Sequence, residues 1–144
     1  MLTPSRYFTI EELTSSTTAD LRHIDNTIPD RLLPNITRLI DYLDKVREEF
    51  GAPIRVSSGY RSPDLNKAVG GSKKSQHMQG LAADLVVPEL SRLFQTIRKM
   101  GGFDQLIWEE PSPHRVWVHV SVAPKGDKPR GQVLRYNGRG YINF

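Results

Sequence analysis

Three side chains carry the chemistry that can be read from this sequence: His77, Asp84 and His119. The chain has no cysteine, so thiolate metal sites, disulfides and cysteine nucleophiles are excluded and only nitrogen and oxygen donors are left. Its histidines are His23, His77, His114 and His119. Asp84 stands inside the apolar run LAADLVV, residues 81–87. A carboxylate buried there costs several kcal/mol unless it is paired or holds a cation. Two imidazoles and one carboxylate are the donor set of a catalytic divalent zinc that keeps a position open for water. The competing reading pairs Asp84 with an arginine and makes both histidines incidental, and spacing alone leaves the two open.

The elements around these residues follow from periodicity. In RVWVHVSV, residues 115–122, valines at 116, 118, 120 and 122 alternate with Trp117, His119 and Ser121, so the valines enter a core and His119 faces the other way. The same rule in residues 81–87 sends Leu81, Ala83 and Leu85 to one face and Ala82 and Asp84 to the other, with Gly80 permitting a tight turn after His77. FDQLIWEE pairs with RVWVHVSV as a hairpin through Pro111-Ser112-Pro113-His114. Apolar residues from Leu32 to Phe50 recur at spacings of three and four, which predicts a long helix over residues 29–50, stopped by Gly51 and Pro53. A second helix opens at Pro88-Glu89 and runs to Met100, a short one follows Thr9, and IRVSS (54–58) is a strand. Residues 59–75 read as a long loop of the kind that carries function, and short strands are expected near 132–136 and 141–144. The class is α+β, with helices packed on one face of a small, mainly antiparallel sheet that carries the candidate zinc site.

The segment Ser75 to Asp84, SQHMQGLAAD, has the form S-x-H-x-x-G-x-A-x-D. It resembles the signature of the zinc D-Ala-D-Ala carboxypeptidases and related wall endopeptidases, the LAS metallopeptidases. SSGYRS (57–62) resembles the stretch where that family carries an arginine, and WVHVS (117–121) resembles its third-ligand strand. YFTIEELTSSTTA resembles the start of the phage and bacterial branch. The resemblance implies His77, Asp84 and His119 as zinc ligands, and Arg61 as the group that polarises the scissile carbonyl or binds a substrate carboxylate. A planar guanidinium suits either task, whereas a loop salt bridge is its bland alternative.

The chain departs from the family at the base. Where many members have a glutamate three residues before the third ligand, or a histidine two before it, this sequence has Val116 and Trp117. If the hairpin pairs residues whose numbers sum to about 226, Glu109 lies opposite Trp117 and shares the ligand face. Glu109 is therefore the expected general base, with Glu110, His114 and Asp104 behind it, since a slip of one residue exchanges the two glutamates. Gln105 falls on the same face as a substrate contact. Ser75 and Tyr60 are expected to orient substrate, and Ser57, Ser58 and Asn66 are weaker loop candidates. The reaction expected is metal-assisted amide hydrolysis of peptidoglycan peptide, with Glu109 moving the proton and Arg61 steadying the oxyanion.

With 144 residues the chain has the size of one domain, expected over 1–144, with an N-terminal segment 1–28 and a basic tail 124–144. Its net charge of +4 owes part to Lys125, Lys128, Arg130, Arg135 and Arg139. That excess suits an anionic partner or a merely solvated face, but no nucleic-acid motif accompanies it, and no nucleic-acid or membrane partner is expected. The start of the chain lacks the apolar run of a secretory leader, so cytoplasmic synthesis is expected, with action at the bacterial wall during phage or prophage release, as a monomer. The alternative is a metal- or wall-binding module that has lost its base.

Overall fold

In the computed structural model of the chain the described residues are 7–144; residues 1–6 of the N-terminal segment lie outside them. Short helices α1 (Ile10–Thr14) and α2 (Thr17–Arg22) come first, each capped by the hydroxyl before it, Thr9 and Ser16. The long helix α3 (Leu33–Phe50) and α5 (Leu90–Met100) pack against each other, and a short α4 (Pro63–Ala68) lies between. The strands are β1 (Arg55–Ser58), β2 (Ala82–Val86), β3 (Gln105–Ser112), β4 (Arg115–Ser121), β5 (Gln132–Tyr136) and β6 (Tyr141–Asn143). They form one sheet in the order β1-β2-β4-β3-β5-β6, antiparallel except where β5 runs parallel to β3. This is the α+β class expected from the sequence.

Burial explains why α3 forms although no side chain caps its start. A missing cap costs about 1 kcal/mol, while burial of a Leu, Ile or Phe contributes roughly 1.5–3 kcal/mol. Ile36, Leu39, Ile40, Leu43, Val46 and Phe50 are all buried, so packing outweighs the missing cap several times over. On α5 the buried set is Leu90, Leu93, Phe94 and Ile97. These two helical stripes join Leu81, Ala83, Leu85, Val118, Val120 and Val122 from β2, β4 and the residues flanking them in a single core. The opposite sheet face is thereby left to line a cleft.

Four details differ from the periodicity. The helix expected from residue 29 begins as a 3₁₀ turn, Asp30–Leu32, and becomes α-helical at Leu33. The expected loop 59–75 contains α4, whose signals were present locally: Ser62 accepts from the Leu65 N–H, and Pro63 starts the helix. β3 runs on to Ser112 through a bulge after Glu109, so the turn shrinks to Pro113-His114. The basic tail is no appendage, because β5 and β6 complete the sheet. Among the described residues no helix is long and apolar enough to cross a membrane.

Candidate metal centre

A single row of paired residues crosses the sheet through the site. Ser58 is opposite Asp84, Asp84 opposite His119, and His119 opposite Ile107. The register sum inferred for the hairpin therefore holds at this point. His77 arrives from the 3₁₀ turn Gln76–Gln79, which ends at Gly80 in the left-handed conformation, φ 71°, where an L side chain would be strained. Ser75 opens that turn, its hydroxyl accepting from the His77 N–H.

The donors converge on one oxygen. His77 Nε2 and His119 Nδ1 each lie 3.2 Å from Asp84 Oδ1, and the two rings meet edge to face with centroids 5.2 Å apart. All three residues are buried, and one ligand atom from each falls within 4.8 Å of the others. The hydrogen bonding shows why a cation belongs here. His77 Nδ1 is 2.7 Å from the Gly59 carbonyl, which can only accept, so Nδ1 carries the proton. In the neutral ring Nε2 is then an acceptor facing a carboxylate oxygen. Two acceptors at that distance require a positive centre between or beside them, either an added proton or a metal ion. His119 Nε2 is buried without a hydrogen-bond partner among the described residues. Burial disfavours the Asp84 charge, but the imidazoles of His77 and His119 outweigh it and hold the carboxyl well below the usual carboxylate range. A carboxylate kept ionised against burial and oriented imidazoles fit a divalent metal.

Arg61 joins this centre: the arginine pairing of the competing reading is present, but the two histidines are on Asp84 as well and are not incidental. Arg61 Nη2 donates to Asp84 Oδ2 at 3.4 Å, Nη1 to Asn66 Oδ1 at 3.1 Å, and Nε to Ser58 Oγ at 3.1 Å. The arginine occupies one carboxylate oxygen and leaves the other to the imidazoles. Asn66 was given little weight in the sequence, yet it is buried and clamps Arg61 while its amide donates to the Ser72 carbonyl at 2.9 Å. Asn26 was missed altogether: its amide donates to the carbonyls of Thr14 and Tyr60, and its oxygen accepts from the Ser62 N–H, bracketing the Arg61 backbone. No local pattern marks such a residue.

The cleft around the centre has a volume of about 740 Å³, room for a peptide rather than for an ion alone. Glu109, Gln105, Ser75, Tyr60 and Arg61 all line it. Gln105 spends its amide on Gln132 Oε1 at 2.8 Å, and Tyr60 is mostly embedded in the core with one edge toward the cleft. Glu109 is opposite Trp117. Burial raises its pKa, with His119 pulling down, Asp84 pushing up and Arg61 pulling down in decreasing order. The other base candidates are elsewhere: Glu110 pairs with Arg135 at 3.4 Å, His114 is exposed in the turn, and Asp104 is held by Arg130 at 2.7 Å.

The sequence model of a family described as Peptidase M15 matches residues 6–121. The chain belongs to the peptidase M15 family. It is the family of the zinc D-Ala-D-Ala carboxypeptidases that the Ser75–Asp84 segment resembles, and its cofactor is zinc. No curated protein matches the chain. Among the described residues of this M15 chain His77, Asp84 and His119 form the group able to hold the ion, and the match ends at the last residue of β4, before β5 and β6.

Proposed function

We propose that the chain hydrolyses a peptide bond in bacterial wall peptide, either at a D-Ala-D-Ala terminus or within the stem and cross-link peptides, and serves a phage or prophage at the host wall. Peptidase chemistry on peptidoglycan in general comes with the M15 family. The observation that supports hydrolysis by this chain is a three-donor centre with an ionisable carboxyl, Glu109, on the same face of the same cleft.

When bound by His77, Asp84 and His119, zinc supplies Lewis acidity that acidifies water and withdraws electrons from a carbonyl. The protein does the rest. Glu109 accepts the proton of the attacking water and returns it to the leaving amine, and burial brings its pKa up toward the working range of a base. Arg61, rigid through its three hydrogen bonds, orients Asp84 through Oδ2 and presents its remaining edge to the substrate oxygen or a terminal carboxylate. Ser75 and Gly59 fix the His77 ring from the backbone and Nδ1 sides.

The test combines metal analysis of protein purified without added zinc with mass spectrometry of digested peptidoglycan, which identifies the bond. Glu109→Gln should lower turnover about 10²- to 10⁴-fold, the usual contribution of a positioned base, while zinc content stays the same. Full turnover in that variant would remove Glu109 from the role. A zinc-loaded wild type that cuts nothing would instead leave a wall-binding module.

A further inference from the structure

The second row on the cleft face extends beyond the part of the chain that the family model matches. Trp117 is opposite Glu109, Glu109 opposite Tyr136, and Tyr136 opposite Tyr141, so four strands place these side chains in one line. All four line the cleft. The two tyrosine rings lie 4.8 Å apart, and Tyr141 is 58% exposed, a large apolar ring left open to solvent beside a candidate catalytic carboxyl. The rings are tilted by 42° to each other, and adjacent aromatic rings of this kind offer a ligand apolar area with a polar tip. Resting on the peptidase reading of this cleft, we infer that Tyr136 and Tyr141 form a substrate platform, which binds the peptide segment beyond the scissile bond and sets how far from a terminus the chain can cut.

Geometry and charge say why the occupant is an anionic peptide. The row spans β4, β3, β5 and β6 at about 4.8 Å per strand, a reach of several residues of extended chain that begins at Trp117, beside the ligand His119 on β4. Its cations Arg61, Lys74 and Arg115 face only Asp84 and Glu109 among the cleft acids, and Asp84 already serves Arg61 and two imidazoles. Arg115 leans on the Trp117 ring at 5.7 Å, at the opposite end of the row from Tyr141. A peptide bearing carboxylates can therefore cross the row with its backbone over Glu109 and its aliphatic groups on the tyrosines.

The test compares Tyr136→Ala/Tyr141→Ala and Tyr136→Phe/Tyr141→Phe with wild type in the full, zinc-loaded chain. Two measurements are made: hydrolysis of muramidase-solubilised peptidoglycan, and co-sedimentation with intact sacculi, which needs no turnover. Loss of both rings should raise KM and the sacculus Kd about tenfold with kcat changed less than about threefold, since two aromatic contacts are worth about that much. Zinc content should be unaltered, and the Phe pair should stay within about twofold of wild type because the ring and not the hydroxyl is the contact. An Ala pair that matches wild type in both measurements overturns the platform, as does a Phe pair as weak as the Ala pair. Should the Ala pair fail to fold, Tyr141→Ala alone decides, because that ring is exposed on the edge strand. Wild type that binds sacculi but cuts nothing defeats the peptidase reading and leaves the platform to the sacculus ratio. Wild type that does neither defeats both.

Discussion

Acid should loosen the segment that carries β5, and the size of the effect follows from Asp104. This buried carboxylate accepts from the Arg130 backbone N–H at 3.0 Å, from Arg130 Nη2 at 2.7 Å and from Gln76 Nε2 at 2.9 Å, tying the approach to β5 to the residue beside His77. The Arg130 side chain holds the Asp104 pKa down from 3.8 to about 2, against burial. At about 1.4 kcal/mol per pH unit that gap is worth about 2 kcal/mol, and the half-exposed Arg130 side chain lets solvent screen it toward about 1 kcal/mol. The folded pKa lies below the unfolded one, so the stabilisation is fully present above about pH 4 and disappears as pH falls through about 2. Urea unfolding of wild type and Asp104→Asn measures it. The variant should be about 1–2 kcal/mol less stable at pH 7, and the two curves should converge between about pH 4 and 2. All other carboxylates titrate alike in both proteins, so the difference isolates this group. A constant difference from pH 7 to 2, or none at pH 7, refutes the reasoning.

Three further outcomes are expected. Gly59→Ala drives a Cβ into the Leu13 carbonyl, so the loop must shift. Stability should fall by about 1–3 kcal/mol, and zinc affinity about 10- to 100-fold as the Gly59 carbonyl leaves His77, which thermal denaturation and competition with a chelator would measure. Unchanged zinc affinity would mean that the Gly59 carbonyl does not orient the ring. Asn66→Ala frees Arg61 Nη1 and the Ser72 carbonyl. It should cost about 1–3 kcal/mol and lower kcat/KM about tenfold or more at full zinc content; equal kcat/KM would show that the Asn66 contact does not position Arg61 for the reaction. The acid limb of kcat/KM should lie above the ordinary glutamate range because burial raises Glu109, and it should be lost in Glu109→Gln.

What local covalent structure dictates was legible without coordinates. Alternation in β2 and β4 sends side chains to opposite faces whatever the partner, so His119 faces away from the core valines and Asp84 away from Leu81, Ala83 and Leu85. A short hairpin restricts its own register, which is why Glu109 could be set opposite Trp117, although the bulge after it shortened the turn. Ser75, His77 and Gly80 belong to one 3₁₀ turn and were read together. The tertiary structure alone decided the partners: Gly59 under His77, Asn66 and Ser58 under Arg61, Arg130 on Asp104, and β5 parallel to β3 so that Tyr136 extends the row through Glu109. Those pairings join segments that have no common period or turn, and their free energy depends on desolvation and approach in the folded core. A single arginine or asparagine in a sequence carries no trace of which distant atom it will meet.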